Sequence, residues 1–360
     1  MDTIELNGIR LENQKIESSE FTTVKALVSW MGALQAQDFN MAKWALGLRM
    51  INATDKTILD AYNNGEILRT HLMRPTWHFV AADDIYWLLE LTAPQIKRIM
   101  KFRDKQLELN EMIYIQSNQL LESQLSNGIS LSRVELIRIY EQANIKTDEN
   151  RFSHLMMRAE LDGIICNGPI ISNKLTYSLL AERVPVRKTL SRDAALAALA
   201  KRYFTSHGPA TLGDFVWWSG LSVTDARNAL EMVKSGFESE TIGSGKYWFK
   251  NKTAVRQSEE ISIHLLPAYD EYLIGYKDRS ASLSEVDNRK AVSNNGIFRP
   301  LIVMNGQIVG LWNRKILKDR VIIETNLFQP CDIAIEQKIE QAIAKYKYFL
   351  GSETGFKIKR

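Results

Sequence analysis

Three times along the 360-residue chain a stretch of helical periodicity gives way to two β-like runs split by a breaker, and this recurrence constrains the fold more than any other feature. In the first stretch, helical patterns over residues 21–34, 41–49 and 57–63 lead into extended runs at 67–72 and 74–80. Ser18-Ser19-Glu20 and Thr54-Asp55-Lys56 supply N-caps, and Asn64-Gly65 supplies a stop. The second stretch carries helical patterns at 84–91, 93–108, 112–125, 133–142 and 149–161. It closes on runs at 163–166 and 174–179, with Asn167-Gly168 as a turn signal. The third has helical patterns at 191–204, 212–219 and 223–233, and extended runs at 237–242 and 246–250 around Gly243-Ser244-Gly245. Helices closing on a hairpin are the order of a winged helix-turn-helix module, in which a helix enters the major groove and the hairpin reaches the neighbouring backbone. Beyond about residue 257 the texture becomes strand-like, at 261–266, 298–303, 307–312 and 320–325, with Asn305-Gly306 as a hairpin turn. A closing helix at 331–348 and a basic tail at 355–360 follow. The expected fold is α+β and mainly helical. Tandem winged-helix modules cover 1–82, 83–186 and 187–256, and a small C-terminal β-barrel or sheet domain with a terminal helix covers 257–360.

Composition narrows the function classes. Hydrophobic residues at 45% and charged residues at 24% describe an ordinary globular chain. No apolar run approaches the roughly 18 residues of a membrane span, and the opening Met-Asp-Thr-Ile-Glu-Leu lacks a secretion signal, so a cytoplasmic protein is expected. Cys166 and Cys331 are too few and too far apart for a disulfide framework or a zinc site. A phosphate-cradling glycine loop, a nucleophile elbow and a dinucleotide fingerprint are all absent from the sequence, so no metal, cofactor or nucleotide cofactor is expected. The net charge of +4 and pI near 8.8 are compatible with nucleic acid without requiring it.

The chemistry concentrates in Gln35-Ala36-Gln37-Asp38, which follows the first helical pattern directly. Amides at i and i+2 are splayed apart on a helix but can share a side of an extended or turn backbone. A neutral amide donates and accepts, so two can hold one water without adding charge. That suits a water beside a group becoming positive, such as a sugar losing its base. On the residues alone, capping the helix C-terminus or solvating a turn is the better role for the pair. Asp38 reads as the N-cap of the next helix rather than as a general base.

This pair, the following Trp44-Ala45-Leu46-Gly47-Leu48 and the later Arg74-Pro75-Thr76-Trp77-His78-Phe79-Val80 resemble the AlkZ-like DNA glycosylases. The resemblance implies tandem winged-helix domains with a β-rich C-terminal domain. It implies excision of N7- or N3-alkylated purines from duplex DNA, in some members the unhooking of interstrand crosslinks, and a Gln-x-Gln pair that positions the hydrolytic water. Gln35 and Gln37 match that pair one for one and are the expected catalytic residues. An alkylated base leaves as a cation and needs little acid catalysis, so neutral amides can suffice. With no lysine beside the pair, a monofunctional enzyme is expected.

Arg69, Arg74, Thr76 and His78 on the first hairpin are candidate DNA contacts, as are Lys97 and Lys101 in a basic helical run and Arg151, His154 and Arg158 at i, i+3, i+7. For each, a solvated or structural role is the competing reading. Trp217-Trp218 reads as core. Asp270 and Glu271 with Arg279 resemble a further element of the same family and read as an ion-pair network joining the C-terminal domain to the helical modules. No leucine-zipper pattern marks a dimer, and a monomer is expected. The alternative function is a non-catalytic winged-helix DNA-binding regulator.

Overall fold

Each recurring stretch folds into one order of elements: a helix, a two-residue strand, two helices and a hairpin. The computed structural model describes residues 1–250, 261–317 and 320–351, and the backbone of 355–359. The expected boundary between 256 and 257 lies outside the described residues, as do Arg360 and the side chains of the expected basic tail. The first unit runs Val24–Met31, Leu34–Gln35, Phe39–Leu48, Asp55–Asn63, Ile67–His71 and Trp77–Ala81. Glu111–Leu125, Leu131–Ser132, Arg133–Gln142, Arg151–Leu161, Ile165–Asn167 and Thr176–Leu179 form the second. Arg192–Ser206, Ala210–Thr211, Leu212–Ser219, Val223–Val233, Glu238–Ile242 and Gly245–Phe249 form the third. In every unit the short strand pairs antiparallel with the second hairpin strand, giving a three-stranded sheet.

Local chemistry sets these boundaries. Thr54 with Thr57, Ser132 with Glu135 and Thr211 with Asp214 form reciprocal capping boxes, and Asp38 accepts from the Met41 amide as the expected N-cap. Gly32, at φ +80°, ends the first helix of its unit at Met31, short of the expected residue 34. The chain is therefore extended when it reaches Gln35, in a strand too short for periodicity to signal.

Two further expectations change. Residues 1–20 are more than a lead-in: Thr3–Asn13 is a helix capped by Asp2, with Leu6, Ile9 and Leu11 buried. The expected helices at 84–91 and 93–108 are one helix, Ile85–Gln106, which continues through Pro94.

The C-terminal strands Ile263–Leu266, Leu301–Met304, Gln307–Ile316, Arg320–Leu327 and Gly355–Lys359 form one sheet in sequence order, antiparallel except for the last pair. Its two end strands do not pair among the described residues, so the sheet is open and the expected barrel is not closed. Helix Ile333–Leu350 packs Tyr346 and Phe349 onto Trp44, with ring centroids 5.0 and 5.1 Å apart. The first sheet divides two cores. Leu34, Ala36, Ile67 and Phe79 face Trp44 and Tyr346, whereas Leu68 and Val80 face Tyr203 and Trp218 of the third unit. Strand alternation therefore turns Gln35 away from the first core and toward the third unit.

Candidate active site

The Gln35 region is assembled from three parts of the chain. Gln35 lies directly opposite His78 in the first sheet, and His78 opposite Thr70, so the three side chains share a face. The Gln35 amide N–H donates to Glu271 Oε1 at 2.7 Å, and its side-chain Oε1 accepts from the Arg74 guanidinium at 3.1 Å. Gln35 is 6% exposed, whereas Gln37 is exposed. The buried amide belongs to a polar seam rather than to an apolar core.

Glu271 enters from the C-terminal half and accepts from the Trp218 indole at 3.0 Å and from His207 at 3.4 Å. Burial works to raise its carboxyl. Hydrogen bonds from His207 and the Gln35 amide, with the charge of Arg74, outweigh burial and hold it below the usual carboxylate range. Arg74 caps the turn between the hairpin strands with φ +54°, a left-handed conformation disfavoured for a non-glycine residue. The turn packs closely on the end of helix Leu212–Ser219: a Cβ on Gly220 would lie 3.2 Å from the Arg74 nitrogen.

His78 is fully buried. Its Nδ1 lies 3.0 Å from the Thr76 carbonyl, which can only accept, so Nδ1 carries the proton and Nε2 is a bare acceptor. Nε2 and the Thr70 hydroxyl are buried without a protein hydrogen-bond partner. Burial, and then the charge of Arg74, push the imidazole down to about 3, so it is neutral across the physiological range.

Several expected DNA contacts have other work. Arg69 is 3% exposed; its guanidinium donates to the Ala36 carbonyl at 2.8 Å, the Gln37 carbonyl at 3.4 Å and Asn167 at 2.6 Å, and lies over Trp77. It holds the Gln-Ala-Gln backbone instead of a phosphate. His78, being buried, is likewise no phosphate contact. Thr76 is half-buried and donates to the Met73 carbonyl. On helix Arg151–Leu161, Arg151 is buried against the Leu107 and Lys146 carbonyls, His154 pairs with Asp104, and Arg158 is shared between Asp162 and Glu111. This basic stripe is consumed internally, because the helix packs against both Ile85–Gln106 and Glu111–Leu125 and the chain that joins them. Lys97 pairs with Asp162, and Lys101 is exposed.

The expected Asp270–Arg279 pairing is also replaced. Asp270 takes both terminal nitrogens of Arg49, at 2.9 and 2.7 Å, in a fully buried pair, while Arg279 donates to the Leu273 carbonyl. Sequence spacing carries no signal for Arg49, His207 or Asn167, whose partners lie far away along the chain. Lys43, the nearest amine in sequence, is tied to Asp55 at 2.7 Å.

Comparison with known proteins bears on the fold and the family. Over 326 residues the chain is 24% identical to the interstrand DNA cross-link repair glycosylase of Streptomyces sahachiroi, covering 84% of this chain and 85% of that protein. The fold superposes on the solved structure of Streptomyces sahachiroi DNA glycosylase AlkZ with a TM-score of 0.82 over the whole of both chains, at 18% identity. The family model described as DNA glycosylase AlkZ-like matches residues 28–349, and the chain belongs to that family.

Proposed function

We propose that the protein is a monofunctional DNA glycosylase that hydrolyses the N-glycosidic bond of N7- or N3-alkylated purine nucleotides in duplex DNA, with Gln35 and Gln37 positioning the water. The carrying observation is the fixed Gln35 amide, held by Arg74 and Glu271 where three parts of the chain meet. The Gln35 carbonyl oxygen has a lone pair beyond the one that Arg74 occupies, and His78 Nε2 is a second acceptor on the same sheet face. A water donating to both keeps a lone pair for the anomeric carbon, and Gln37 at the exposed rim completes its cage. The ionised Glu271 behind this water favours a sugar that becomes cationic as the base departs. The nearest amine in sequence, the Lys43 ammonium, is committed to Asp55, which disfavours an amine-dependent lyase route.

The three units serve, in this reading, as winged-helix modules of a monomer acting on cytoplasmic DNA, with Arg74, Thr76 and Lys101 on the DNA side. The activity named for the Streptomyces relative supports extending the substrate range to interstrand crosslinks. Incubation with duplex containing N7-methylguanine, followed by alkali to break abasic sites, tests the proposal. Cleavage by the wild type and its loss in Gln35→Ala and Gln37→Ala are expected. Sequence-selective binding of undamaged DNA with no cleavage would replace it with the regulator reading.

A further inference from the structure

The residues beside Gln35 include a second feature that the water-positioning chemistry does not use. Trp217, on helix Leu212–Ser219, is 39% exposed, although its neighbour Trp218 is fully buried. Its indole N–H is tied to the Ile274 carbonyl at 2.9 Å, so the ring is held in place while part of it stays open to solvent. Two guanidiniums flank this ring: Arg74 lies 5.7 Å and Arg279 5.3 Å from its centroid. The arginines come from the first hairpin and from the C-terminal half, so tertiary packing alone brings like charges together here.

Neither arginine is neutralised by an ion pair within 4 Å among the described residues. The nearby carboxylates are hydrogen-bonded by other groups rather than paired directly with these arginines, although their charges still act on both. Asp214 accepts from Thr211 and from the amides of Lys277 and Asp278, Asp278 accepts from Ser280, and Glu271 accepts from Gln35, Trp218 and His207. Arg74 Nε is buried without a partner. Burial and the mutual repulsion of the two guanidiniums lower the proton affinity of Arg279. Two guanidiniums beside a fixed, partly open aromatic ring, neither held in a direct ion pair among the described residues and only partly offset by the charges of Glu271, Asp214 and Asp278, form a receptor for an anion next to a π-face.

We infer that Arg74, Trp217 and Arg279 form a clamp for the target nucleotide, in which the two guanidiniums grip one backbone phosphodiester and the Trp217 ring stacks on the adjoining sugar or base. This rests on the glycosylase reading and deepens it. Because Arg74 also holds Gln35 Oε1 at 3.1 Å, the grip on the phosphate and the position of the catalytic amide share one side chain. A phosphate in the clamp thereby sets the register of the sugar relative to the water.

The test measures binding of the full-length protein to a duplex carrying a tetrahydrofuran abasic-site analogue across a salt series, alongside N7-methylguanine excision. Arg279→Gln is expected to reduce the slope of log K against log salt by about 0.9, the signature of one lost phosphate contact. Arg279→Lys keeps the charge and should restore most of the slope. Trp217→Leu is expected to weaken binding roughly tenfold with the salt slope unchanged, and Trp217→Phe to retain most of the affinity. Lys56→Gln, a charge loss on a helix outside this cluster, controls for net charge, and thermal unfolding confirms that each variant is folded. Wild-type affinity and salt slope in both Arg279→Gln and Trp217→Leu would overturn the clamp, even with excision intact. A reduced slope in Arg279→Gln together with no excision by the wild type would support the clamp and remove the glycosylase reading.

Discussion

At the scale of single residues, environment outweighs residue type. His78 and Arg69 sit where a DNA-binding hairpin would present them, yet both are buried. His78 is held neutral there, and Arg69 braces the backbone of Ala36 and Gln37. The depressed His78 has a thermodynamic consequence. The unfolded chain binds this proton near the ordinary histidine value of 6.5, and the folded chain only near 3, so stability is present above the first value and drains away as pH falls toward the second. Urea titrations at a series of pH values should show that loss in the wild type and a flatter profile in His78→Gln; equal profiles would refute the assignment. Arg158 makes the opposite point. Its guanidinium is engaged by Asp162 and Glu111, so Arg158→Ala should leave the salt slope of DNA binding unchanged, whereas Lys101→Ala should lower it by about 0.9 in a salt-dependent anisotropy measurement.

At the scale of elements, the informative feature is the two-residue strand that joins each hairpin. In the first unit it replaces the last turn of an expected helix, because Gly32 breaks the helical path and Leu34 pairs with Phe79. Capping residues and turn pairs make helix existence legible from the sequence. A strand of this length carries no periodicity, and the strand partner that stabilises it lies over 40 residues away. The contact between helices Phe39–Leu48 and Ile333–Leu350 is equally invisible along the chain. A Cβ on Gly47 would lie 2.4 Å from the Phe349 ring, so Gly47→Ala should destabilise by about 1–3 kcal/mol through overpacking. Chemical denaturation measures it, and a neutral result would mean that the ring yields freely.

At the scale of the whole molecule, the C-terminal half is part of the candidate site. Asp270 is buried against Arg49 of the first unit, and the next residue, Glu271, supports Gln35. Asp270→Ala would strand the Arg49 charge in the interior, at a cost of about 3–5 kcal/mol. Excision is expected to fall with stability, because the Glu271 carboxylate would lose its placement. Unfolding and activity measured on the same preparation decide this, and full stability in Asp270→Ala would exclude the pair as a strut.

The local code alone determined the repeated helix-and-hairpin order, the caps at Asp38 and Thr54 though not the one expected at residues 18–20, and the family resemblance carried by Gln35, Gln37 and residues 74–80, because each rests on neighbours within a few positions. It placed a polar cluster at residues 270–279 and recognised its bridging role, but named Arg279 where packing selects Arg49. Tertiary structure decided which cations are consumed internally, that the C-terminal sheet stays open among the described residues, and that Arg74 and Glu271 hold one glutamine while Trp217 and Arg279 stand beside Arg74. The physical reason is that charge pairing and burial depend on distance in space, and residues separated by hundreds of positions acquire that distance only when the cores on both faces of the first sheet close.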